Sequence, residues 1–576
     1  MSKPNQSSFA SVSRTVLAAA LAALTAVVLT SGRIWAQSNP VPLINQPVVP
    51  DATAPGGQGL TLTVNGTGFV QGSVVQWNGS ALATAFVSAS RLTASVPASD
   101  IASAGTASVT VVNPGTGTIS NVSAFEVVTP DRGPSLDIFS NASISYEPAC
   151  VSSADLTGNG IPDLVVCGFD DSQISVYLGK GGGNFQAPVA YDVGEKPDYV
   201  VVADVNGDGI LDLVVACIGG PMVLLGNGDG TFGPGISTGD NLYYFVAAGD
   251  FNRDGKLDLA IPVPTIGAPQ VAVLLGNGDG TFQAPAYYSA GDLPEWIVVG
   301  DFNSDGKLDL AVSEIGENAV GILLGNGDGT FGPFTDYPTS VAPSQVVTAD
   351  FNGDGNLDLA VAASGVSVLL GRGDGTFESY INYAILGDGY YLAATDLNGD
   401  NKLDLAVAGG VSSPSSTLLG NGDGTFQRPG TFGLGPEVSV STISVNDFND
   451  DGRPDLVLGN TEDSLPVLLQ VTSVLSPTEL NFGGFKVGST SPAARVSLTN
   501  VGTTPFKVTT ISVEGKDAVD FTESDNCVGK QIAPGANCTL MVRFKPEQNG
   551  KQNADVAVRD SANYSAQVVG LVGTGQ

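Results

Sequence analysis

The sequence of 576 residues contains no histidine. Without an imidazole there is no Ser–His or Cys–His nucleophile pair, no histidine general base and no histidine-ligated zinc. Cysteine is scarce as well, and none of the five has the histidine or basic neighbours that activate a catalytic thiol. These absences exclude the commonest forms of nucleophilic and zinc catalysis.

Positive charge is also scarce, because 23 Lys and Arg residues face 57 Asp and Glu residues, for a net charge of −34. Proteins that bind nucleic acid neutralise phosphates with Lys and Arg, so this balance argues strongly against a nucleic-acid partner. Much of the acidity is concentrated in a loop that recurs along the chain.

Helical periodicity is absent, whereas 75 glycines and frequent Val, Thr and Ser indicate an all-β chain. The one long apolar run is Val16–Thr30, which follows the basic residues Lys3 and Arg14. Residues 1–36 therefore predict a secretory signal peptide, with Ala36 as a plausible cleavage position. An uncleaved anchor is the alternative, but the run is short for a membrane span. We expect an exported protein whose mature chain has no membrane span.

The stretch Gly300–Val312, GDFNSDGKLDLAV, reads as two short strands joined by an Asp-rich loop. Asp301, Asn303, Asp305 and Asp309 occupy loop positions 1, 3, 5 and 9, and Gly306 at position 6 permits the positive φ that folds the loop back. Calcium prefers six to eight oxygen ligands in this rhythm, with a backbone carbonyl at position 7. The Glu that ends an EF-hand loop is missing, so the motif predicts a calcium loop of another kind.

Seven copies of the loop recur at intervals of 49, 46, 51, 49, 46 and 51 residues, starting at Asp155, Asp204, Asp250, Asp301, Asp350, Asp396 and Asp447. A long, regular period indicates an array of supersecondary units. Each unit alternates short apolar runs with Gly-rich turns, as a small antiparallel sheet does. Radial repetition of such sheets gives a β-propeller, so we predict seven blades.

The loops together predict six to seven structural calcium ions. Their ligands are Asp155, Asn159, Asp163; Asp204, Asn206, Asp208, Asp212; Asp250, Asn252, Asp254, Asp258; Asp301, Asn303, Asp305, Asp309; Asp350, Asn352, Asp354, Asp358; Asp396, Asn398, Asp400, Asp404; and Asp447, Asn449, Asp451, Asp455. The first loop, with Thr157 at position 3 and Asn159 at position 5, loses a carboxylate and should bind most weakly. Asn401 replaces the glycine of the sixth loop, and asparagine tolerates the left-handed conformation.

A second motif, GNGDGTF, follows five of the loops and predicts a tight hairpin turn whose Phe packs between blades. One copy reads GRGDGTF, so that Arg372-Gly373-Asp374 looks like an integrin-recognition tripeptide. Because four sister repeats carry Asn-Gly-Asp in that place, we interpret it as a repeat turn.

The pairing of DFNxDGxxDL with LLGNGDGTF resembles the FG-GAP/VCBS repeats of integrin-type propellers over residues 134–472. This resemblance implies a calcium-binding propeller with a binding role. The unit that starts at Asp447 lacks the second motif, and residues 134–147 resemble a spare outer strand. We therefore predict that residues 134–147 complete the last blade and close the ring, which removes two exposed sheet edges.

Two further domains flank the repeats. Residues 48–128, with LTLTVNGTGF and VVQWNG, resemble the IPT/TIG immunoglobulin-like domain, and we expect Trp77 in its core. Residues 473–576, with LSPTELNFGGFKVGS and IAPGANCTLMVRFKP, resemble the choice-of-anchor D domain, a relative of the ASPM/SPD-2/Hydin immunoglobulin-like domains. The predicted architecture is a seven-bladed β-propeller flanked by two immunoglobulin-like β-sandwich domains.

The cysteines suit an oxidising compartment. Cys527 and Cys538 flank a Pro-Gly turn in the last domain and are the predicted disulfide. Cys150 and Cys167 flank the first metal loop, and a second bridge between them is left open. Cys217 is then expected as a free, buried, apolar residue.

The predicted function is a non-catalytic adhesion or ligand-binding protein of the bacterial cell surface or its surroundings. Its partner would be an extracellular protein or a glycan. One alternative is a lectin that stacks sugars on tyrosine pairs: Tyr191 with Tyr199, Tyr243–Tyr244, Tyr287–Tyr288 and Tyr390–Tyr391. We favour packing as the role of these pairs. A calcium-dependent polysaccharide-degrading enzyme is the third alternative, and the uniformity of the repeats argues against it.

Overall fold

The structure is a computed structural model, and it describes residues 39–44, 48–50, 52–53, 55–102, 105–115, 119–127, 136–144, 148–168, 172–238, 245–264, 269–385, 389–410, 415–432, 440–449, 453–460, 464–470, 473–476, 479–500, 506–533, 536–560 and 567–576. The predicted signal peptide, residues 1–36, lies outside these ranges. Within them the regular structure is all strand, apart from one 3₁₀ turn at Ala518–Asp520. No helix among them is long and apolar enough to cross a membrane.

Seven four-stranded antiparallel sheets make up the middle of the chain. We number them as blades, with the strands in sheet order: blade 1, Pro148–Ala154, Asp163–Gly168, Gln173–Tyr177, Val189–Asp192; blade 2, Glu195–Ala203, Asp212–Ile218, Met222–Leu224, Ile236–Ser237; blade 3, Ala247–Gly249, Asp258–Val263, Gln270–Leu274, Ala286–Ser289; blade 4, Pro294–Gly300, Asp309–Glu314, Ala319–Leu323, Thr335–Pro338; blade 5, Val346–Ala349, Asp358–Ala363, Gly365–Leu369, Ile381–Tyr383; blade 6, Gly389–Thr395, Asp404–Gly409, Ser415–Leu418, Gly430–Phe432; and blade 7, Val440–Asn446, Asp455–Asn460, Ser464–Gln470, Leu136–Ser143. Blade 1 also carries a small hairpin of Gly179–Gly181 with Asn184–Phe185.

The second strand of each blade begins at the Asp in loop position 9 and continues as an apolar run such as DLAVSE. This strand is almost wholly buried in every blade, because a neighbouring blade covers each of its faces. A strand that is buried on both faces needs continuous rather than alternating apolar residues. The sequence pattern thus places this strand in the interior.

Apolar clusters fill the space between consecutive blades all the way round. The first strand of blade 1 packs against the first strands of both blade 2 and blade 7. Between blades 7 and 1 the cluster includes Val151, Leu164, Phe448 and Val457. The seven sheets therefore form a closed ring, and the predicted seven-bladed β-propeller is confirmed.

Blade 7 receives its outer strand from the start of the propeller. Leu136–Ser143 pairs antiparallel with Ser464–Gln470, in a register that runs from Leu136 opposite Gln470 to Ser143 opposite Ser464. An early strand of the chain thus pairs with the last blade. This pairing covers a sheet edge that would otherwise expose unpaired backbone groups.

Gln470 compensates for the turn that blade 7 lacks. Its backbone N–H donates to Asp455 Oδ1 at 2.7 Å, as the first glycine of GNGDGTF does in other blades. Its side-chain Nε2 donates to the carbonyl of Leu397 in blade 6, at 2.5 Å. Elsewhere a turn glycine makes this bond between blades: Gly329, Gly375 and Gly424 donate to the carbonyls of Phe251, Phe302 and Phe351, and Gly183 donates to that of Phe448 across the closure.

Each flanking domain is a two-layer β-sandwich. The N-terminal domain has Leu43–Ile44, Leu60–Thr67, Arg91–Val96 and Ala83–Ser88 in one sheet, and Ala52–Thr53, Ser123–Val127, Gly105–Val112, Val74–Trp77 and Ser80–Ala81 in the other. Trp77 is buried, and its ring centroid lies 4.9 Å from that of Phe125, so the predicted core role is confirmed.

The C-terminal domain has Ser473–Ser476, Ala494–Asn500, Asn537–Phe544 and Phe521–Asp525 in one sheet, and Glu479–Phe485, Gln567–Gly575, Gly550–Asp560, Phe506–Glu514 and Gln531–Ile532 in the other. The Cys527–Cys538 disulfide is present, as predicted. A second disulfide joins Cys150 to Cys167 on paired strands, which answers the question that the sequence left open. Cys217 is free and buried.

We predict that the strand Leu136–Ser143 is required for ring stability. A chain that starts at residue 148 should aggregate or melt far below a chain that starts at residue 129, because only the longer chain retains the outer strand of blade 7. Both chains lack the N-terminal sandwich, so their comparison isolates the strand, and thermal melts monitored by circular dichroism measure the difference. Equal melting temperatures would mean that the ring closes without it.

Candidate metal centres and the propeller channel

The Asp-rich loops join the first and second strands of each blade, and the blade 4 loop shows how such a loop is held. The Asp301 carboxylate accepts the backbone N–H groups of Asp305 at 3.0 Å and Gly306 at 2.8 Å. The side-chain oxygen of Asn303 accepts the Asp305 N–H at 2.9 Å. Gly306 has φ of 80°, which a residue with a Cβ rarely adopts. The loop therefore curls so that its oxygens gather on the concave side.

Asp309, at position 9, closes the loop from a fully buried position. One carboxylate oxygen accepts the N–H of Phe302 in the loop at 2.9 Å, and the other accepts the N–H of Gly325 in the GNGDGTF turn at 2.7 Å. The pKa of Asp309 is raised to about 7, chiefly by burial and also by the negative charges of Asp301 and Asp305, against the lowering effect of the two hydrogen bonds. Three carboxylates thus converge in a partly desolvated space.

The same bonds recur round the ring. The position-9 carboxylate accepts a loop N–H in six blades, from Leu156, Val205, Phe251, Phe302, Phe351 and Phe448. In loop 6, Asn401 has the expected left-handed φ, 63°. The first loop keeps the fold although its position 5 is Asn159. Asp451 of the last loop lies outside the described residues.

These residues fit a hard divalent cation. Every side-chain donor is a carboxylate or amide oxygen, the ligand type that calcium prefers. In blade 7 the buried side-chain oxygen of Asn449, at position 3, has no hydrogen-bond partner among the described residues, which here leave out positions 4 to 6 of the loop. In blades 3, 4 and 5 the carboxylates at positions 1 and 5 raise the pKa of the position-9 Asp, so they lie close enough to repel it. A bound cation would supply the missing partner and offset the repulsion.

The GNGDGTF segments are turns between the third and fourth strands, as predicted. In each of the five segments, the first Gly forms an antiparallel β-bridge with the Phe at the end of the motif. That Phe is buried in four copies: Phe232, Phe331, Phe377 and Phe426. Arg372 is part of such a turn, and its guanidinium donates to the carbonyl of Phe377 at 3.0 Å. This contact agrees with a structural role for the Arg-Gly-Asp tripeptide.

The N-terminal sandwich contacts the face of the propeller that carries the metal loops. The N–H of Val41 donates to Asp250 Oδ2 at 2.9 Å, and the hydroxyl of Thr106 donates to Asp447 Oδ2 at 2.6 Å. Leu43 and Ile44 line a cavity of about 320 Å³ together with residues of the first strands of blades 2 to 5. The sandwich therefore lies over this end of the central channel.

The predicted tyrosine pairs divide into two groups. Tyr191 and Tyr288 pack edge-on against Phe232 and Phe331 of the next repeat, as do Tyr337 and Tyr383 against Phe377 and Phe426. Tyr287 and Tyr390 are about half exposed, while Tyr243–Tyr244 lie outside the described residues. Tyr191 and Tyr288, each a member of one predicted pair, therefore have a packing role. Tyr199 and Tyr391 belong to a different cluster.

That cluster, which we call the mouth cluster, consists of Asp198, Tyr199, Phe245, Glu295, Trp296 and Tyr391. Ring centroids lie 4.9 Å apart for Tyr199 and Trp296, 4.1 Å for Phe245 and Trp296, and 6.3 Å for Trp296 and Tyr391. These rings come from blades 2, 3, 4 and 6, and non-adjacent blades meet only at the axis. All lie near the start of a first strand, toward the end of the channel opposite the Asp-rich loops, and Tyr199 and Trp296 line the cavity that Leu43 and Ile44 also line.

Two carboxyl groups accompany the rings. Burial raises the pKa of Asp198 to about 6 and that of Glu295 to about 7, and the charge of Asp198 adds to the shift of Glu295. Glu295 Oε2 is buried and has no hydrogen-bond partner. Sequence reasoning missed this cluster, although an acid beside an aromatic residue occurs at the start of two first strands, in PDYV and PEWI.

The fold and its loops define a repeat propeller with Asp-rich loops, flanked by two immunoglobulin-like domains. The family model for the FG-GAP-like repeat matches residues 155–215, 204–261, 265–312, 301–361, 350–407 and 396–458, which together are more than half of the chain. The protein belongs to this family. The IPT/TIG domain model matches residues 44–127, and the model for the ASPM-SPD-2-Hydin domain matches residues 469–568. The predicted family membership is confirmed.

Solved structures resemble the chain at low identity. A lectin of Agrocybe aegerita that recognises non-reducing terminal N-acetylglucosamine is 20% identical, with a TM-score of 0.38, over 57% of this chain and 90% of its own. An auxiliary nutrient binding protein of Bacteroides thetaiotaomicron is 11% identical, with a TM-score of 0.34, over 75% and 98%. The periplasmic gluconolactonase of Pseudomonas aeruginosa is 14% identical, with a TM-score of 0.38, over 58% and 94%. No curated protein matches the chain significantly. Likeness at this level carries no argument about function.

We predict that Glu295→Gln stabilises the protein at pH 8 and not at pH 4. The carboxyl has a raised pKa in the folded state, so the destabilisation that it causes is absent below the unfolded-state pKa of 4.5, grows as the pH rises from there to the folded-state pKa of about 7, and is complete above it. The gain at pH 8 should reach roughly 2 kcal/mol, measured by urea unfolding. Glu195→Gln, at an exposed site near the same channel end, is the control and should change neither value. A gain that is equal at both pH values would contradict the electrostatic cause.

Proposed function

We propose that this chain is an exported, calcium-stabilised propeller that binds an extracellular protein or glycan without catalysing a reaction. The observation that carries the proposal is the Asp-rich loop, which recurs in all seven blades with converging oxygens. Export is supported by the predicted signal peptide and by two disulfides, which persist in oxidising compartments.

Calcium has a structural role in this proposal. Each loop lies beside the turn of a neighbouring blade, and backbone hydrogen bonds such as Gly329 N–H to Phe251 carbonyl join the two. A cation that fixes the loop therefore also fixes the contact between blades. The sites report on one cooperative ring, so their stabilisation adds up.

The ligand is expected at the mouth cluster. The cluster places aromatic rings beside two half-buried carboxyl groups, and Tyr199 and Trp296 line the channel cavity of about 320 Å³. Aromatic faces stack on sugar rings or on cationic side chains, and the carboxylates accept hydrogen bonds from either. A glycan or a basic segment of a protein would suit this surface, and the lectin alternative rests on the same observation.

The calcium proposal predicts a large stability change. Calcium binds the folded loop and not the unfolded chain, so each site contributes roughly 2.7 kcal/mol at a free concentration about 100 times Kd. Extracellular modules often bind calcium with Kd of about 10⁻⁴–10⁻³ M. Chelation should therefore lower the melting temperature markedly, and calcium should restore it better than magnesium.

A pair of variants sharpens this test. Asp305→Asn removes a predicted ligand and should reduce the gain in melting temperature that calcium gives, whereas Asp374→Asn removes an exposed turn carboxylate and should leave that gain unchanged. Direct ion counting should find six to seven ions in the loops, with the loop at Asp155 filling last. Identical melting temperatures in chelator and in millimolar calcium would overturn the calcium role.

A ligand screen tests the binding role. The wild-type protein is applied to a glycan array and to an array of basic peptides, beside the variant Trp296→Ala. We expect the wild-type protein to bind a member of one array and Trp296→Ala not to bind it. The melting temperature of the variant should still rise with calcium. Product release from polysaccharides, measured in parallel, would instead favour the enzyme alternative, with Asp198 and Glu295 as its acids.

The Arg-Gly-Asp tripeptide gives a separate prediction. Arg372→Ala should leave any cell adhesion unchanged, because the tripeptide is one of five equivalent turns and its guanidinium is bonded to the Phe377 carbonyl. Adhesion assays on immobilised protein check this, with circular dichroism to show retained folding. Loss of adhesion by a folded variant would restore the recognition role.

A further inference from the structure

Blade 4 carries a carboxylate cluster that belongs to none of the seven loops. Glu314 ends the second strand, Glu317 lies in the following turn, and Asp336 lies on the fourth strand. One oxygen of each carboxylate lies within 4.8 Å of the others. The turn after Glu314 is at the propeller face opposite the Asp-rich loops, so the cluster is separate from them.

Glu314 is fully buried and directs its carboxylate into this cluster. Within the part of the chain that the structure describes, neither of its oxygens has a hydrogen-bond partner of ordinary geometry, and the nearby backbone N–H of Gly291 lowers the pKa of the carboxyl against the larger raising effect of burial. Two glycines make room for the group, because a Cβ at Gly291 or at Gly321 would collide with the Glu314 carboxylate. The backbone is thus shaped around an acid that the protein leaves without a partner.

The charges around Glu314 increase the cost of burying it. Besides burial itself, the groups that raise its pKa most are the carboxylates of Asp336 and Glu317, followed by Asp292 in the connection from blade 3. A buried charge is tolerated in proteins when it is paired or bound to a metal. Here the neighbouring charges all have the same sign, so a cation is the missing component.

The other repeats show that the acid is specific to blade 4. The last of the six strand residues that start at the position-9 Asp is Glu314 here, whereas the equivalent residues in the other six blades are Gly168, Cys217, Val263, Ala363, Gly409 and Asn460. The fold therefore does not need an acid at this position.

We propose that Glu314, Glu317 and Asp336 bind an additional hard divalent cation, with calcium as the expected ion. Glu314 provides the buried ligand, and the exposed Glu317 and Asp336 close the site from the solvent side. Water completes the shell of six to eight oxygens, which leaves positions that an oxygen of a bound ligand can take. This site does not depend on occupation of the seven loops.

Anomalous diffraction from calcium-grown crystals, recorded at long wavelength, tests the proposal directly. We expect a peak at about 2.3–2.6 Å from carboxylate oxygens of Glu314, Glu317 and Asp336. The Asp-rich loops of the same crystal are internal controls. Peaks in the loops with none at Glu314 would overturn this inference alone, whereas a peak at Glu314 with empty loops would overturn the proposed role of the repeats alone.

Melting measurements on Glu314→Gln give an independent test in solution. In chelator the variant should melt above the wild type, because a buried charge has been removed. In saturating calcium the order should reverse, because the variant lacks one site, and equilibrium dialysis should find one ion fewer. Glu378→Gln, an exposed acid in blade 5, should match the wild type in both conditions. A variant that melts higher in both conditions would identify Glu314 as a neutral buried acid and overturn the proposal.

Discussion

The buried carboxylate at the start of each second strand is the interaction on which the propeller depends. Asp309 and its six counterparts are fully buried, and in blades 1 to 5 and 7 the carboxylate accepts hydrogen bonds both from the Asp-rich loop and from the chain at the end of the third strand. One side chain thus joins three parts of a blade. Hydrogen bonds satisfy its oxygens but do not neutralise it, and the loop adds further negative charge. The same residue that organises the blade therefore creates the demand for a cation.

Ring closure shows how the chain handles a blade that departs from the repeat. Blade 7 has no GNGDGTF turn, yet the backbone of Gln470 bonds Asp455 as a turn glycine would, and its side chain reaches Leu397 in blade 6. A hydrogen bond that glycine makes through its backbone elsewhere is here made by an amide side chain. The bonds between blades are evidently what the structure retains, while the residue that makes them can change.

The sequence predicts the features that repeat and misses the features that occur once. Five full copies of Asp, Asn, Asp, Gly and Asp at fixed spacing, with two further copies that differ at one or two positions, could be read directly, because each copy supports the others. The prediction that residues 134–147 complete the last blade followed from the same comparison of repeats, because the unit that starts at Asp447 lacks the second motif. The mouth cluster could not be predicted, because Tyr199, Trp296 and Tyr391 lie on blades 2, 4 and 6 and meet only when the ring closes. Distances across the axis depend on the curvature of the whole ring.

Departures from the repeat are therefore where this protein differs from a generic propeller. An acid is buried as Glu314 at a repeat position that elsewhere holds Gly, Cys, Val, Ala or Asn, and burial raises its pKa, so its charged form costs stability that the fold itself does not require. Glu295 beside Trp296 imposes a similar cost at the channel mouth. Both departures concern the face opposite the Asp-rich loops. The repeated acids thus belong to the face that the N-terminal sandwich contacts, and these two singular acids to the opposite face, so the residues of the proposed calcium loops and those of the two other proposed sites lie at different ends of the same strands.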